Sequence, residues 1–184
     1  MTRLVLASRS PRRREILSAL GIEYVALEPD VNEVADGEPH EVVLENARRK
    51  ARSGLAEAGE DTTVIGADTE VVLDGRVLGQ PADESVARSS LEALSGRTHE
   101  VLTGVVVVSS GGERSGLARS EVTFRELDSE TLRLYLASGE WRGRAGAYAI
   151  QGLGSILIER LEGDFSNVVG LPVPVLRELA PELF

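Results

Sequence analysis

Apolar positions fall into short blocks whose spacing switches between two periods along the chain. Arg3–Ala7 is a strand-sized apolar run, and Ile22–Leu27 and Thr63–Ala67 are two more. Pro11–Leu20 and Pro39–Ala58 carry apolar residues at helical spacing, each with proline in the first turn and a glycine, Gly21 or Gly59, at the stop. Val71–Val77 turns on Asp74-Gly75, a hairpin signal. Asp83–Leu94 predicts a helix ended by Gly96. Glu100–Ser109 and Arg114–Arg125 predict a long β-ribbon around Gly111-Gly112. Ser129–Ser138 predicts a helix capped by Ser129, Ala147–Glu159 mostly strand, and Pro174–Leu179 a last short helix. Helices and strands alternate first and paired strands follow, which predicts an α/β or α+β domain with a mixed sheet.

Composition narrows the chemistry. The 184 residues suffice for one domain, and no run approaches the ~18 apolar residues that span a bilayer. Charged residues before a small-residue cleavage site are not found in the order of a secretory leader, so a cytoplasmic protein is expected. Cysteine is absent, which removes disulfides, thiolate nucleophiles and cysteine metal sites. The two histidines, His40 and His99, sit in no triad-like or zinc-like motif. A metal would therefore be held by oxygen, which suits Mg²⁺ or Mn²⁺. The net charge of -10 disfavours polynucleotides and anionic membranes as partners.

Four segments carry candidate chemistry. Ser8-Arg9-Ser10-Pro11-Arg12-Arg13 follows a strand and opens a helix, where unpaired amides attract anions. Arginines there oppose the helix dipole, a local conflict that points to function; a solvated basic turn is the plainer alternative. Lys50, in Glu45-Asn46-Ala47-Arg48-Arg49-Lys50, is the only lysine among 20 basic residues. It shares a helical face with Asn46 and is a candidate phosphate contact, or else a surface lysine. Gly66-Ala67-Asp68-Thr69 places an acid at the expected end of a strand, where it can hold a cation or take a proton from water; an ordinary turn is the alternative. Gln151, among small residues in Gly146–Gly154, offers a donor beside an acceptor, matching the imide edge of uracil or thymine, or else is a satisfied core amide.

These segments together resemble the Maf family of nucleoside triphosphate pyrophosphatases. The likeness runs in order through LVLASRSPRRREIL, ENARRKA, VIGADTEVVLDGRVLGQP, LSGRTHEVLTGV and GAYAIQGLGSILIERLEGDFSNVVGLP, nearly the whole chain. It implies an elongated mixed sheet flanked by helices, two lobes with a central cleft, and a fold like that of inosine triphosphatases. It implies hydrolysis of a triphosphate to monophosphate and pyrophosphate with a divalent cation, and a homodimer. Asp68 matches the family's catalytic acid. Arg12, Thr69 and Gln151 match positions linked to base choice, and the Ala-Tyr-Ala-Ile-Gln-Gly form resembles the subgroup acting on dTTP and UTP. Where the family has lysine this chain has Gln80, so Gln80 is a substrate-contact position without the charge, which Arg76 could supply.

The expected arrangement puts the triphosphate over Ser8–Arg13 with Lys50 completing a cationic cradle. Glu33, Asp68 and, more weakly, Glu45 are the expected metal ligands. Two other readings remain at this stage: a nucleotide-binding regulator of septum formation without turnover, and an inosine triphosphatase-like enzyme for purine nucleotides.

Overall fold

The computed structural model describes residues 3–184. Its strands are β1 (Arg3–Ala7), β2 (Val25–Leu27), β3 (Thr62–Leu73), β4 (Arg76–Val77), β5 (Thr98–Ser109), β6 (Gly112–Phe124) and β7 (Ile158–Glu162). Its helices are α1 (Pro11–Ala19), α2 (Pro39–Ala58), α3 (Glu84–Leu94), α4 (Ser129–Ser138), α5 (Phe165–Val169) and α6 (Val173–Leu179). The strands form one mixed sheet in the order β2-β1-β3-β5-β6-β7, with β4 paired to β3. β1 is parallel to both β2 and β3, while the β3, β4, β5, β6 and β7 pairings are antiparallel.

The long strands β3 and β5 support a different core at each end. Toward β1, alternate residues separate to opposite faces, as pleating requires. Ile65, Ala67, Val105 and Val107 pack with Leu6, Leu17, Leu171 and Leu176, whereas Val64, Val106 and Val108 pack with Ala47 and Ala51 of α2. At the far end Val71, Leu73 and Val101 join Leu91, Leu94, Phe124, Tyr135, Trp141 and Tyr148. Separate apolar clusters at the two ends of one elongated sheet match the expected two-lobed form.

Helix α2 lies close to the sheet because glycines make room. A Cβ on Gly66 would stand 2.3 Å from the Ala47 carbonyl oxygen and 2.6 Å from the Ala51 nitrogen, and one on Gly104 would stand 2.6 Å from the Val43 oxygen. The helix answers with a stripe of Val43, Ala47, Ala51 and Gly54, all buried. This approach carries Asn46 and Lys50 down onto β3.

Several expected boundaries change. The strand expected to stop before Asp68 runs on to Leu73, because β5 pairs with β3 through that point: Asp68 opposes Gly104 and Thr69 opposes Thr103. Ala147–Glu159 is not mostly strand. It holds two short 3₁₀ turns, Ala145–Ala147 and Gly152–Leu157, before β7 begins. Left-handed backbone at Gly146, Ala147 and Gly152 breaks any extended run there. Asp128, not Ser129, caps α4 by accepting from the Thr131 amide. Ser10 occupies the N-cap position of α1 without a side-chain cap bond. The second strand is shorter than expected, and α5 was not anticipated.

Candidate active site

β1 pairs with β3 only as far as Gly66, and β4 first meets β3 at Val72. Between these points one edge of β3 has no partner strand among the described residues. A cleft of about 1000 Å³ opens there. Its lining includes Ser8–Arg13, Pro29–Glu33, Lys50, Asp68–Val71, Gln80, Arg142–Ala145 and Tyr148–Gln151.

Ser8, Arg12, Arg13, Glu33, Lys50, Asp68, Thr69, Gln80 and Gln151 thus share one cavity. Glu45 is the exception. Its carboxylate accepts from Arg48 at 2.9 Å and Arg49 at 2.9 Å, on the same helix and outside the cleft lining. Those two guanidinium groups hold the Glu45 carboxyl below its usual range. It is not placed to bind the metal expected of it. Arg76 also lies outside the cleft lining, so it does not supply charge beside Gln80.

Asp68 is buried and held on both oxygens. Lys50 Nζ donates to Oδ1 at 2.6 Å, and Asn46 Nδ2 donates to Oδ2 at 3.2 Å. Asn46 is itself fixed by the Val34 amide and carbonyl, so the i, i+4 pair on α2 reads as one clamp. Lys50 Nζ also reaches Glu33 Oε1 at 2.7 Å. The expected phosphate-binding lysine is therefore already bridging two carboxylates.

Arg13 is likewise committed. Its guanidinium donates to the Gly170 carbonyl at 2.7 Å, Ser8 Oγ at 3.0 Å and Thr69 Oγ1 at 3.0 Å. Burial lowers its pKa, opposed by the charges of Asp68 and Glu33. Thr69 is tied further to Thr103 Oγ1 at 2.9 Å, on the face opposite Lys50. Arg13 thus braces the loop, β3 and the end of α5 through neutral acceptors.

Sequence reasoning missed Glu70. It follows Asp68 by two residues on β3 and lines the same cleft, and its Oε2 is buried without a hydrogen-bond partner. Burial first, then Asp68 and Glu33, push its carboxyl up to about 7, while Lys50 pulls it down. It also missed Arg142 and Arg144, whose only trace was an Arg-Gly-Arg run just before the Gly146 segment.

Gln151 lies exposed at the cleft on a rigid segment. The Ala149 amide donates to Tyr135 Oη at 3.0 Å, and Tyr148 Oη is bonded to His99 Nε2 at 2.8 Å. Glu140 accepts from the Leu153 and Gly154 amides. Burial depresses His99 to about 4, so it is a neutral prop for Tyr148.

The overall fold of this mixed sheet with flanking helices is similar to that of the Staphylococcus aureus Ham1 protein. That structure aligns with TM-score 0.51 over 98% of this chain and 90% of its own, at 14% identity. The Maf-like protein family profile matches residues 3–183, and the chain belongs to that family. Relatives include a dTTP/UTP pyrophosphatase of Thermococcus gammatolerans, 48% identical over 98% of both chains. Another, of Deinococcus radiodurans, is 44% identical over 96% of this chain and 91% of its own.

Proposed function

We propose that this protein is a nucleoside triphosphate pyrophosphatase that cleaves dTTP and UTP to the monophosphate and pyrophosphate. The relatives of that name, alike over nearly the full chain, support the reaction. The observation that carries the assignment is the clamped carboxylate: Asp68 lies inside a nucleotide-sized cleft, aimed by Lys50 and Asn46 and flanked by unpaired arginine.

Asp68 keeps acceptor capacity beyond its two bonds, since a carboxylate has about four lone-pair sites. It orients a water and takes its proton as the oxygen attacks the α phosphorus. The α–β anhydride bond breaks, and the pyrophosphate departs with the electron pair. Lys50 holds the carboxylate in place and balances the charge of Glu33 and Asp68. Gln151, on its braced segment, pairs with the imide edge of the base.

A divalent cation, Mg²⁺ or Mn²⁺, belongs to this proposal. Glu33, Asp68 and the unpartnered Oε2 of Glu70 are hard oxygen donors of the kind such ions take. No three acidic or histidine side chains form a ready-made cation site among the described residues, so these three would hold it together with substrate oxygens. When bound it would neutralise charge on the phosphates. A homodimer in the cytoplasm is also proposed, on the family likeness alone. Among the described residues, no helix is long and apolar enough to cross a membrane.

The test is pyrophosphate release from dTTP, UTP, CTP, GTP, ATP and ITP, with Mg²⁺ or Mn²⁺. Faster turnover of dTTP and UTP supports the proposal. Equal rates on all six would remove the role of Gln151. Nucleotide binding without release would favour a regulator, and a preference for ITP would favour a purine enzyme.

A further inference from the structure

The cleft lining contains five cations besides Arg9, and they are not equally available. Lys50 is neutralised by Asp68 and Glu33. Arg13 spends its donors on Ser8, Thr69 and Gly170. The Arg142 guanidinium stacks over Trp141 at 4.6 Å. Arg12 and Arg144 remain.

Neither Arg12 nor Arg144 has an ion-pair partner among the described residues, although ten other arginines do. Among the described residues Arg12 meets no protein acceptor, while Arg144 uses only Nε, donating to the Glu140 carbonyl, so its terminal nitrogens stay open. The two come from opposite lobes: Arg12 from the first turn of α1, Arg144 from the loop after α4. Both line the same cleft, and burial first, then the charges of Arg144 and Arg13, brings Arg12 down to about 10 against the pull of Glu15 and Tyr135. Two partly buried guanidinium groups without ion-pair partners among the described residues, lining one cleft in a chain of net charge -10, make a place for an anion.

We infer that Arg12 and Arg144 form a two-sided clamp for the β and γ phosphates, the half of the substrate that leaves as pyrophosphate. This rests on the triphosphate reading above and assigns the charge that Lys50 and Arg13 cannot give. Arg144 binds the leaving group directly, through its two terminal nitrogens.

Calorimetric titration of Arg144→Gln and Arg144→Lys with inorganic pyrophosphate and, separately, with UMP tests the clamp, Mg²⁺ being present throughout. Losing a charge-assisted pair should weaken pyrophosphate binding on the order of 10–100-fold in Arg144→Gln, with UMP binding held within about twofold. Arg144→Lys keeps the charge but not the fork, so it should fall between, and it serves if the glutamine variant melts early. Unchanged pyrophosphate affinity, an equal loss for UMP, or no pyrophosphate binding by the unaltered protein would overturn the clamp. Pyrophosphate binding that depends on Arg144, in a protein that does not hydrolyse dTTP or UTP, would leave the clamp standing and sink the enzymatic reading instead.

Discussion

Glu70 allows a prediction whose size and pH window both come from the structure. Its carboxyl is raised from 4.5 to about 7, mainly by burial and then by Asp68 and Glu33. At about 1.36 kcal/mol per pH unit, ionised Glu70 opposes folding by ~3 kcal/mol. The folded state binds this proton more tightly than the unfolded chain does. The stabilisation is therefore complete below pH 4.5 and is lost as pH rises from there to about 7. Glu70→Gln stays neutral throughout, so its stability relative to the unaltered protein should climb by ~3 kcal/mol across that window. Urea denaturation of both proteins in chelator, at several pH values, measures this, because other titrations largely cancel in the difference. A difference that stays flat across the window would refute the reasoning. Added Mg²⁺ should then stabilise the unaltered protein above pH 7 more than it does the variant, if Glu70 is among the donors.

Three further outcomes are expected. Asp68→Asn should lower the rate of pyrophosphate release on the order of 10²–10⁴-fold in a protein that still folds but melts earlier, because Lys50 and Asn46 both donate to the carboxylate; near-normal turnover would show that another group takes the proton. Gly66→Ala should destabilise by ~1–3 kcal/mol or more, because its Cβ would meet α2 backbone at 2.3 Å, and turnover should fall with it as Asn46 and Lys50 shift from Asp68. Full activity in a destabilised Gly66→Ala protein would disconnect the helix from the chemistry. Glu45→Gln should cost ~0.5 kcal/mol or less and leave both turnover and metal dependence intact, since its partners are two half-buried arginines of its own helix at the rim of solvent. A raised Mg²⁺ requirement would restore it as a ligand.

The readable parts of the fold were those with local signals at both ends. α2 was legible to the residue, from Pro39 to the closing Gly59, because its apolar stripe lies between a helix starter and a stop. The β5–β6 ribbon was legible from two strand-like runs flanking a glycine turn. Asp68 was misplaced at a strand end because the apolar run stops at Ala67, whereas the strand is continued by pairing with β5, a long-range fact. The 146–154 segment looked extended because its residues are small and apolar; Tyr135, His99, Val71 and Glu140, distant in sequence, shape it instead. Within the site, residue type showed that Arg12, Asp68 and Gln151 could do chemistry. Whether a cation was free depended on which acids the fold set beside it, so Lys50 and Arg13 were read as open when both are engaged.

That division of partners follows from the interrupted edge of β3. With no strand beside residues 67–70, polar side chains can occupy a position that would otherwise be central sheet. Pleating then separates them. Asp68 meets Lys50 and Asn46 on the α2 face, while Thr69 meets Arg13 and Thr103 on the other. Arg13 comes near enough to feel Asp68, yet its donors end on a serine, a threonine and a carbonyl, so the carboxylate pairs with Lys50 and not with an arginine. Were the arginines free to collapse onto Asp68 and Glu70, the cleft would lose both its proton acceptor and its anion site at once. Holding the opposite charges apart across the edge of one strand is what leaves room for a substrate that brings its own negative charge and needs a base at one phosphorus.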